Sequence, residues 1–316
     1  MRRVSAQGLE LQSIPCLSDR FSRSLGPTAA ESRTELRIRK RGPMHVATRS
    51  SWRDWRGWVL AIVAGGAIAA TLFVPRMAQD ESYHRFADAR AIAGIPNFWD
   101  VVSNLPFALV GIYGLFLTTR LASRSLWPGY IAFCLAVIGV SLGSAYYHYS
   151  PSNAALVWDR LPMSLAFMAV FALVLGDRVN PALGRALLGP LLILGAASVF
   201  FWAWTESRGV GDLRPYALVQ FMPLVLIALM LLIYPGSRDS AAWIWWATLM
   251  YFLAKLAEHF DAPIYRAVGL SGHTIKHLLS AGAVLFALFA LLRLGSPKLR
   301  IRTMREPATD MPQLPR

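Results

Sequence analysis

The sequence predicts an all-α, polytopic membrane protein: a seven-helix core preceded by one extra N-terminal transmembrane helix. Of its 316 residues, 55% are hydrophobic and only 16% are charged, and the mean hydropathy is +0.42. Soluble domains carry about 25% charged residues, so this composition excludes an ordinary soluble domain. The length accommodates seven or eight spans of roughly 20 residues each.

Eight apolar runs follow one another along the chain, and each is long enough to cross a bilayer. The first lies within residues 56–75. Tryptophans are common at membrane interfaces, and three of them lie at the start of this run, Trp52, Trp55 and Trp58. The seven that follow form the expected core, 99–119, 128–148, 160–176, 186–204, 215–234, 241–258 and 273–294. Because backbone polar groups must be paired within lipid, we predict that each run is a helix.

The basic residues predict the orientation of these helices. The net charge is +14, but Arg and Lys are concentrated in the two tails and in alternate loops, as the positive-inside rule expects. This distribution argues against nucleic-acid binding. Residues 1–55 are predicted to be a disordered, basic cytoplasmic tail, within which Met44 is an alternative start, and residues 295–316 form a second basic cytoplasmic tail. Eight crossings place both termini in the cytoplasm.

Because successive helices cross the membrane in opposite directions, polar side chains that are distant in sequence come to lie at the same depth in the membrane. Three spans begin or end at a titratable residue near the outer face, namely His148 at the end of one, Asp159 just before the next and His273 at the start of the last. Two further residues lie one helical turn away on the same helix faces. They are Ser144, before His148, and His277, after His273. We therefore expect one site near the outer face of the membrane.

The residue types in this site are those of a catalytic zinc centre. Two His four residues apart on a helix, such as His273 and His277, can hold one divalent metal. With His148 they make three neutral imidazoles and leave a fourth position open, the pattern of catalytic rather than structural zinc. Asp159 can then accept a proton from the bound water, and Ser144 can stabilise the developing oxyanion. The two cysteines, Cys16 and Cys134, lie in unrelated contexts and exclude a disulfide framework.

Structural interpretations exist for several of these residues. Asp159, just before an apolar run, also fits a helix N-cap, and Ser144 fits a helix-packing serine. Ionisable groups in membrane helices are costly and usually functional, so their location at one depth favours a site. Lys255 and Glu258, late in the seventh run, either neutralise each other within the bundle or relay protons.

Four motifs resemble the alkaline ceramidase family, which belongs to a superfamily of seven-helix membrane hydrolases and adiponectin-receptor-like proteins. The motifs are PNFWDVVSN, SLGSAYYH, VWDRLPM and SGHTIKH, and the similarity covers residues 83–294. The resemblance implies that His148, His273 and His277 are zinc ligands and that Ser144 and Asp159 complete the active site. The implied reaction is hydrolysis of the ceramide amide bond to a sphingoid base and a fatty acid. The implied substrate is a lipid of the surrounding bilayer.

The sequence departs from this family pattern at two places. The eukaryotic enzymes bind calcium through an acidic N-terminal segment with a Trp-Cys-Glu run and through a Glu near the FWN signature. Here that run is missing and Asn97 replaces the Glu, so Asp88 and Asn97 are the only remaining candidates and calcium is doubtful. Arg160 replaces the acidic residue that usually follows the active-site Asp, a change that bears on substrate choice.

Two other functions use the same residues. The first is a receptor or sensor of the adiponectin-receptor kind, with slow turnover or none. The second is an electron-transfer protein in which His148 and either late His ligate haem axially.

Overall fold

The computed structural model describes residues 55–120 and 124–294. Within these ranges the chain is helical, with no β-strand and a single isolated bridge between Ile92 and Ile95. The all-α prediction is therefore confirmed. The two predicted tails, Met44, Cys16 and Trp52 lie outside the described residues.

The helices follow the predicted apolar runs in order. Their bounds are α1 (Trp55–Phe73), α2 (Phe98–Val102), α3 (Leu105–Phe116), α4 (Trp127–Tyr149), α5 (Asn153–Arg178), α6 (Pro181–Ser207), α7 (Arg214–Ile233), α8 (Arg238–His259), α9 (Asp261–Val268) and α10 (Gly272–Leu291). Three short 3-10 helices accompany them at Glu81–His84, Leu117–Arg120 and Arg124–Leu126.

Seven helical segments of the described chain are long and apolar enough to cross a membrane, with α2 and α3 counted as part of one continuous segment, Phe98–Arg120. They identify a multi-pass integral membrane protein. The remaining long helix, α8, has 22 residues but falls outside this group. Three tryptophans and Lys255 reduce its mean hydropathy. It packs along α10 and has the length that an eighth crossing requires.

Helices that follow one another in sequence pack together from α3 through α7, and α10 packs against both α8 and α3. One core cluster joins α3, α4, α5 and α10 through buried side chains that include Phe107, Tyr130, Leu173 and Leu288. Because lipid tails are as apolar as these side chains, close packing rather than a hydrophobic driving force holds such helices together.

The extra N-terminal helix lies apart from this core. None of the residues of α1 is buried, and the helix packs along α7. Arg214, at the start of α7, donates to the carbonyl oxygens of Thr71 and Val74 at 2.9 and 2.8 Å. Asp212 accepts two hydrogen bonds from the same guanidinium. Arg214 thereby satisfies carbonyls at the end of α1 that have no partner within the helix.

Helix α5 begins earlier than its apolar run. Its N-cap is Ser152, whose hydroxyl accepts a hydrogen bond from the amide of Ala155. The interpretation of Asp159 as an N-cap is therefore wrong, because Asp159 lies in the second turn of the helix. The helix starts early because Ala155 and Leu156 are buried in the bundle, although the segment also contains polar residues.

Two other departures place short helices beside the start of α10. The run 99–119 is divided into α2 and α3 at Ser103 and Asn104, because Pro106 occupies the first turn of a new helix. The unpredicted helix α9 follows α8 and ends at Gly269, whose φ of 72° is the left-handed conformation that glycine adopts readily. Both α2 and α9 pack against α10.

Candidate functional site

The polar residues singled out in the sequence meet at one end of the bundle. This end contains the last turns of α4 and α8 and the first turns of α5 and α10. The five predicted site residues all lie there and are all buried: Ser144, His148, Asp159, His273 and His277.

The three histidines form a compact cluster. One ring nitrogen from each lies within 4.8 Å of the others, and the Nε2 atoms of His148 and His273 are 3.3 Å apart. Two nitrogens bound tetrahedrally at about 2.0–2.1 Å from a zinc ion lie about 3.3–3.4 Å from each other. The donor type, the burial and the spacing therefore fit a metal ion.

The histidines are oriented in different ways. Nδ1 of His277 lies 2.8 Å from the Ser103 hydroxyl, which directs the opposite nitrogen of the ring toward the other histidines. Such outer partners fix the ring orientation of metal-binding histidines. Nδ1 of His148 is buried and has no hydrogen-bond partner among the described residues. The His148 ring is instead held by Phe86 and Tyr147, whose ring centroids lie 4.7 and 4.8 Å away.

Two carboxylates position the first turn of α10. Oδ1 of Asp100 accepts hydrogen bonds from Ser271 at 2.9 Å and Thr274 at 2.5 Å, and Ser271 is also the N-cap of α10. Asp261 accepts from the amide of His273 at 3.0 Å. Sequence reasoning missed both acidic residues. The position of Asp100 inside the motif PNFWDVVSN could have indicated its role in the site. Nothing in the sequence indicated a role for Asp261.

A close helix crossing brings Ser144 to Asp159. A Cβ atom added to Gly143 would overlap the carbonyl of Trp158, so only glycine allows α4 and α5 to approach this closely. The crossing places the side chains of Ser144 and Asp159 on the wall of the same cavity.

A cavity of about 400 Å³ extends from this pair into the bundle. Its polar head includes Ser144, Asp159 and His277, and its far end is lined by apolar side chains such as Val174, Ile244 and Leu291. The volume is within the range of ligand-binding pockets. The cavity can hold a long apolar group whose polar end lies at the histidine cluster.

Residues 90–258, just over half of the 316 residues, match the family model described as Ceramidase. This chain belongs to the Ceramidase family. The match includes Ser144, His148 and Asp159, while His273 and His277 follow its end and reach the site through the fold. Membership implies a hydrolase that acts on amides. Among curated proteins, none matches the chain.

In this ceramidase-family chain a charged network adjoins the histidines. Glu258 is ion-paired with Lys255 and with Lys276, whose Nζ lies 3.1 Å from Oε1 of the carboxylate. Nζ of Lys276 is also 2.8 Å from Nε2 of His273. An ammonium can only donate, so this Nε2 presents a lone pair. The Lys255–Glu258 contact agrees with the interpretation that these two residues neutralise each other. Lys276, the third residue of the charged network, was not predicted from the sequence.

The segment between α1 and α2 lies across the site. The Phe86 ring packs against both His148 and His273, with centroid distances of 4.7 and 4.9 Å. The Tyr83 hydroxyl donates to Glu258 at 3.2 Å, and burial raises the pKa of Tyr83 well above its ordinary value, so it remains a neutral donor. Sequence reasoning missed Phe86, because a single aromatic residue in a polar connection gives no signal.

The calcium candidates have other partners. Both carboxylate oxygens of Asp88 accept hydrogen bonds from Arg90, at 2.7 and 2.6 Å, and Arg90 also donates to the carbonyl of Gly269 at 2.8 Å. The side-chain amide of Asn97 donates to the carbonyl of His148 at 2.8 Å. A guanidinium thus occupies the position at Asp88 that a cation would take. These residues do not fit a calcium site.

Proposed function

We propose that this protein is a zinc-dependent intramembrane hydrolase that cleaves the amide bond of ceramide or a related N-acyl lipid. The products are a sphingoid base, or the corresponding amine, and a fatty acid. One observation carries the proposal: three buried imidazoles lie beside the Ser144–Asp159 pair at the polar head of a long apolar cavity. Membership of the Ceramidase family supports the reaction class.

The residues divide into metal ligands and groups that move protons. His148, His273 and His277 would hold zinc, which when bound supplies a Lewis acid and a water that ionises near neutral pH. The Asp159 carboxylate accepts the proton of the attacking water and returns it to the leaving amine as the C–N bond breaks. The Ser144 hydroxyl donates to the amide oxygen as negative charge develops.

The cavity supports a lipid substrate that enters from the bilayer. The cavity is lined by residues of both α7 and α8, and these two helices pack together only sparsely. A single polar bridge, from Gln220 to the Tyr251 hydroxyl at 2.8 Å, links them near the cavity. We infer that the acyl chain enters between α7 and α8 and that the amide then lies beside Asp159.

The proposed domain organisation follows the sequence. Residues 83–294 form the ceramidase-like catalytic domain, and the helix within 56–75 is an addition packed along α7. With α8 as the eighth crossing, both termini lie in the cytoplasm and the site lies near the outer face.

The contacts within the histidine cluster disfavour the haem hypothesis. Bis-His ligation requires a porphyrin between the two rings. Here the three imidazole centroids are 4.7 to 4.9 Å apart and the rings touch each other, which leaves no space for a macrocycle.

A lipid panel tests the proposed reaction. Purified protein is incubated in mixed micelles with ceramides and other N-acyl lipids, and fatty acid release is measured by mass spectrometry. We expect hydrolysis by the wild type and a rate about 10²- to 10⁴-fold lower for the Asp159→Asn variant. If no lipid is hydrolysed by zinc-loaded wild type, the receptor or sensor hypothesis replaces the enzyme.

A further inference from the structure

Arg160 is a buried arginine without an acidic partner. It directly follows Asp159 on α5 and is 6% exposed. Its Nη2 donates to Oε1 of Gln79 at 2.5 Å, while its Nη1 is buried and has no hydrogen-bond partner among the described residues. No carboxylate in the described part of the chain forms an ion pair with it.

Aromatic rings stabilise this cation without using its hydrogen atoms. The guanidinium carbon lies 4.3 Å from the centroid of Trp202 and 4.9 Å from that of Tyr216. Such cation–π contacts lower the cost of a buried charge, but an aromatic face does not replace a hydrogen-bond acceptor for Nη1. A buried charge without an ionic partner is expensive, and in membrane proteins such groups are usually functional.

The guanidinium lines the same cavity as the candidate site. It lies at the polar head, one residue from Asp159 and opposite the apolar end that would receive an acyl chain. Of the two acidic residues of the cavity wall, Glu258 pairs with two lysines, and Asp159 forms no ion pair with Arg160. Arg160 therefore differs from Lys255 and Lys276, the lysines of this cavity wall, which are ion-paired with Glu258, whereas among the described residues Arg160 has no ionic partner and its Nη1 has no acceptor.

We propose that Arg160 binds an anionic oxygen group on the amine side of the scissile amide. The substrate class is then an N-acyl lipid that carries a carboxylate or a phosphate close to its nitrogen, rather than a neutral ceramide. Guanidinium groups bind both kinds of oxyanion through their planar set of donors. The inference rests on the proposed amidase function and names the substrate class of that same site.

Matched pairs of lipids test this inference. The first pair is N-palmitoylglycine and its neutral counterpart N-palmitoylglycinamide; the second is ceramide 1-phosphate and ceramide. We expect wild-type kcat/KM to be about 10- to 100-fold higher for the acidic member of at least one pair, because a hydrogen bond to a charged group contributes to that extent. The pair that shows the preference distinguishes a carboxylate from a phosphate. Equal rates within both pairs, or a preference for the neutral members, would overturn the inference.

The variant Arg160→Gln separates recognition from structure. It should raise KM for the preferred acidic lipid and leave kcat/KM for the neutral lipid nearly unchanged. Arg178→Gln is the matched control, because Arg178 is equally buried at the other end of α5 and bonds to Ser240 outside the cavity. Equal losses for acidic and neutral lipids in Arg160→Gln would show a purely structural role.

A binding measurement keeps the inference testable when turnover or folding fails. In at least one of the two pairs, the acidic lipid should raise the unfolding temperature of the wild type more than its neutral counterpart does, and the difference should vanish in Arg160→Gln. Equal stabilisation of the wild type by the acidic and neutral members of both pairs would overturn the inference. Hydrolysis of neutral ceramide without any preference for acidic lipids would overturn the inference about Arg160 but not the proposed amidase function. Absence of hydrolysis with every lipid would instead overturn the proposed function.

Discussion

The two halves of the site hold their histidines by different means. On α10, His273 and His277 are fixed by hydrogen bonds that lead to Asp261 and Ser103. On α4, His148 is fixed by aromatic packing, and its Nδ1 has no hydrogen-bond partner among the described residues. Polar substitutions should therefore disturb the α10 half, and changes of shape should disturb the α4 half.

Each half also depends on one glycine at a helix crossing. A Cβ at Gly143 would overlap the backbone of Trp158, and a Cβ at Gly272 would overlap the carbonyl of Ala257. The first crossing places Ser144 and Asp159, which we assign to proton transfer, whereas the second places His273, which we assign to the metal. The two crossings thus position different groups, although α4 also carries His148, one of the three proposed metal ligands.

The largest effect is expected from removing a ligand in either half. His148→Ala and His273→Ala should both reduce amide hydrolysis to background and abolish zinc binding, because three ligands define the proposed site. Zinc content and fatty acid release are measured on the same samples. His259→Ala, which changes a histidine outside the cluster, is the control and should retain both. A fully active His148→Ala variant would show that the α4 half does not bind the metal.

The second-largest effect distinguishes loss of proton transfer from loss of metal binding. Asp159→Asn should lower kcat by about 10²- to 10⁴-fold, the usual contribution of a general acid–base, and should retain zinc. Steady-state kinetics and metal analysis check both parts. Loss of zinc in this variant would place Asp159 in the metal site rather than in proton transfer.

Substitutions of the two glycines at the helix crossings test the same distinction between proton transfer and metal binding, because each should displace the backbone of one helix. Gly143→Ala should move Ser144 away from Asp159 and reduce activity at normal zinc content. Gly272→Ala should move His273 and reduce zinc content. Gly282, with open space around it, provides the control Gly282→Ala on α10. Identical behaviour of the first two variants would contradict the assignment of different roles to the two crossings.

A smaller effect is expected from the outer contacts. Ser103→Ala removes the partner of His277 Nδ1 and should weaken zinc affinity by about 10- to 100-fold, as for other outer-shell partners. Phe86→Leu should loosen the packing of both His148 and His273, because the Phe86 ring contacts both. Competition with a chelator measures the affinity of each. Unchanged affinity in Ser103→Ala would show that helix geometry alone positions His277.

The smallest effect concerns Asp88 and Arg90. Arg90 holds the pKa of Asp88 below its ordinary value of 3.8, so the pair stabilises the fold above that pH and the contribution is lost as the pH falls. Arg90→Gln should lower the unfolding temperature at pH 7 by about 2 °C or less, since Arg90 is half-exposed. The difference from wild type should shrink as the pH falls below 3.8 and Asp88 becomes protonated in the folded protein. Calcium should have no effect on the wild type, and marked stabilisation by calcium would contradict the assignment.

The sequence predicts the helices and the depth of the site because lipid imposes both. Backbone pairing forces apolar runs into helices, and alternate crossing then brings His148 and His273 to the same end without knowledge of the contacts. Ser152 is a common N-cap residue and Pro106 lies in the first turn of a helix, where proline is common. The helix starts at these positions were missed because the helices were predicted from the apolar runs alone. The positions of Phe86 and Lys276 could not be predicted, because they depend on how a loop and two helices pack in three dimensions.

The central claim is that three imidazoles from two distant helices bind one metal that the reaction requires. Zinc content and N-acyl lipid hydrolysis, measured on the same purified protein before and after chelation, test it most directly. We predict about one zinc per chain, loss of activity when the metal is removed, and recovery when zinc is restored. Full hydrolysis by metal-free protein would contradict the claim.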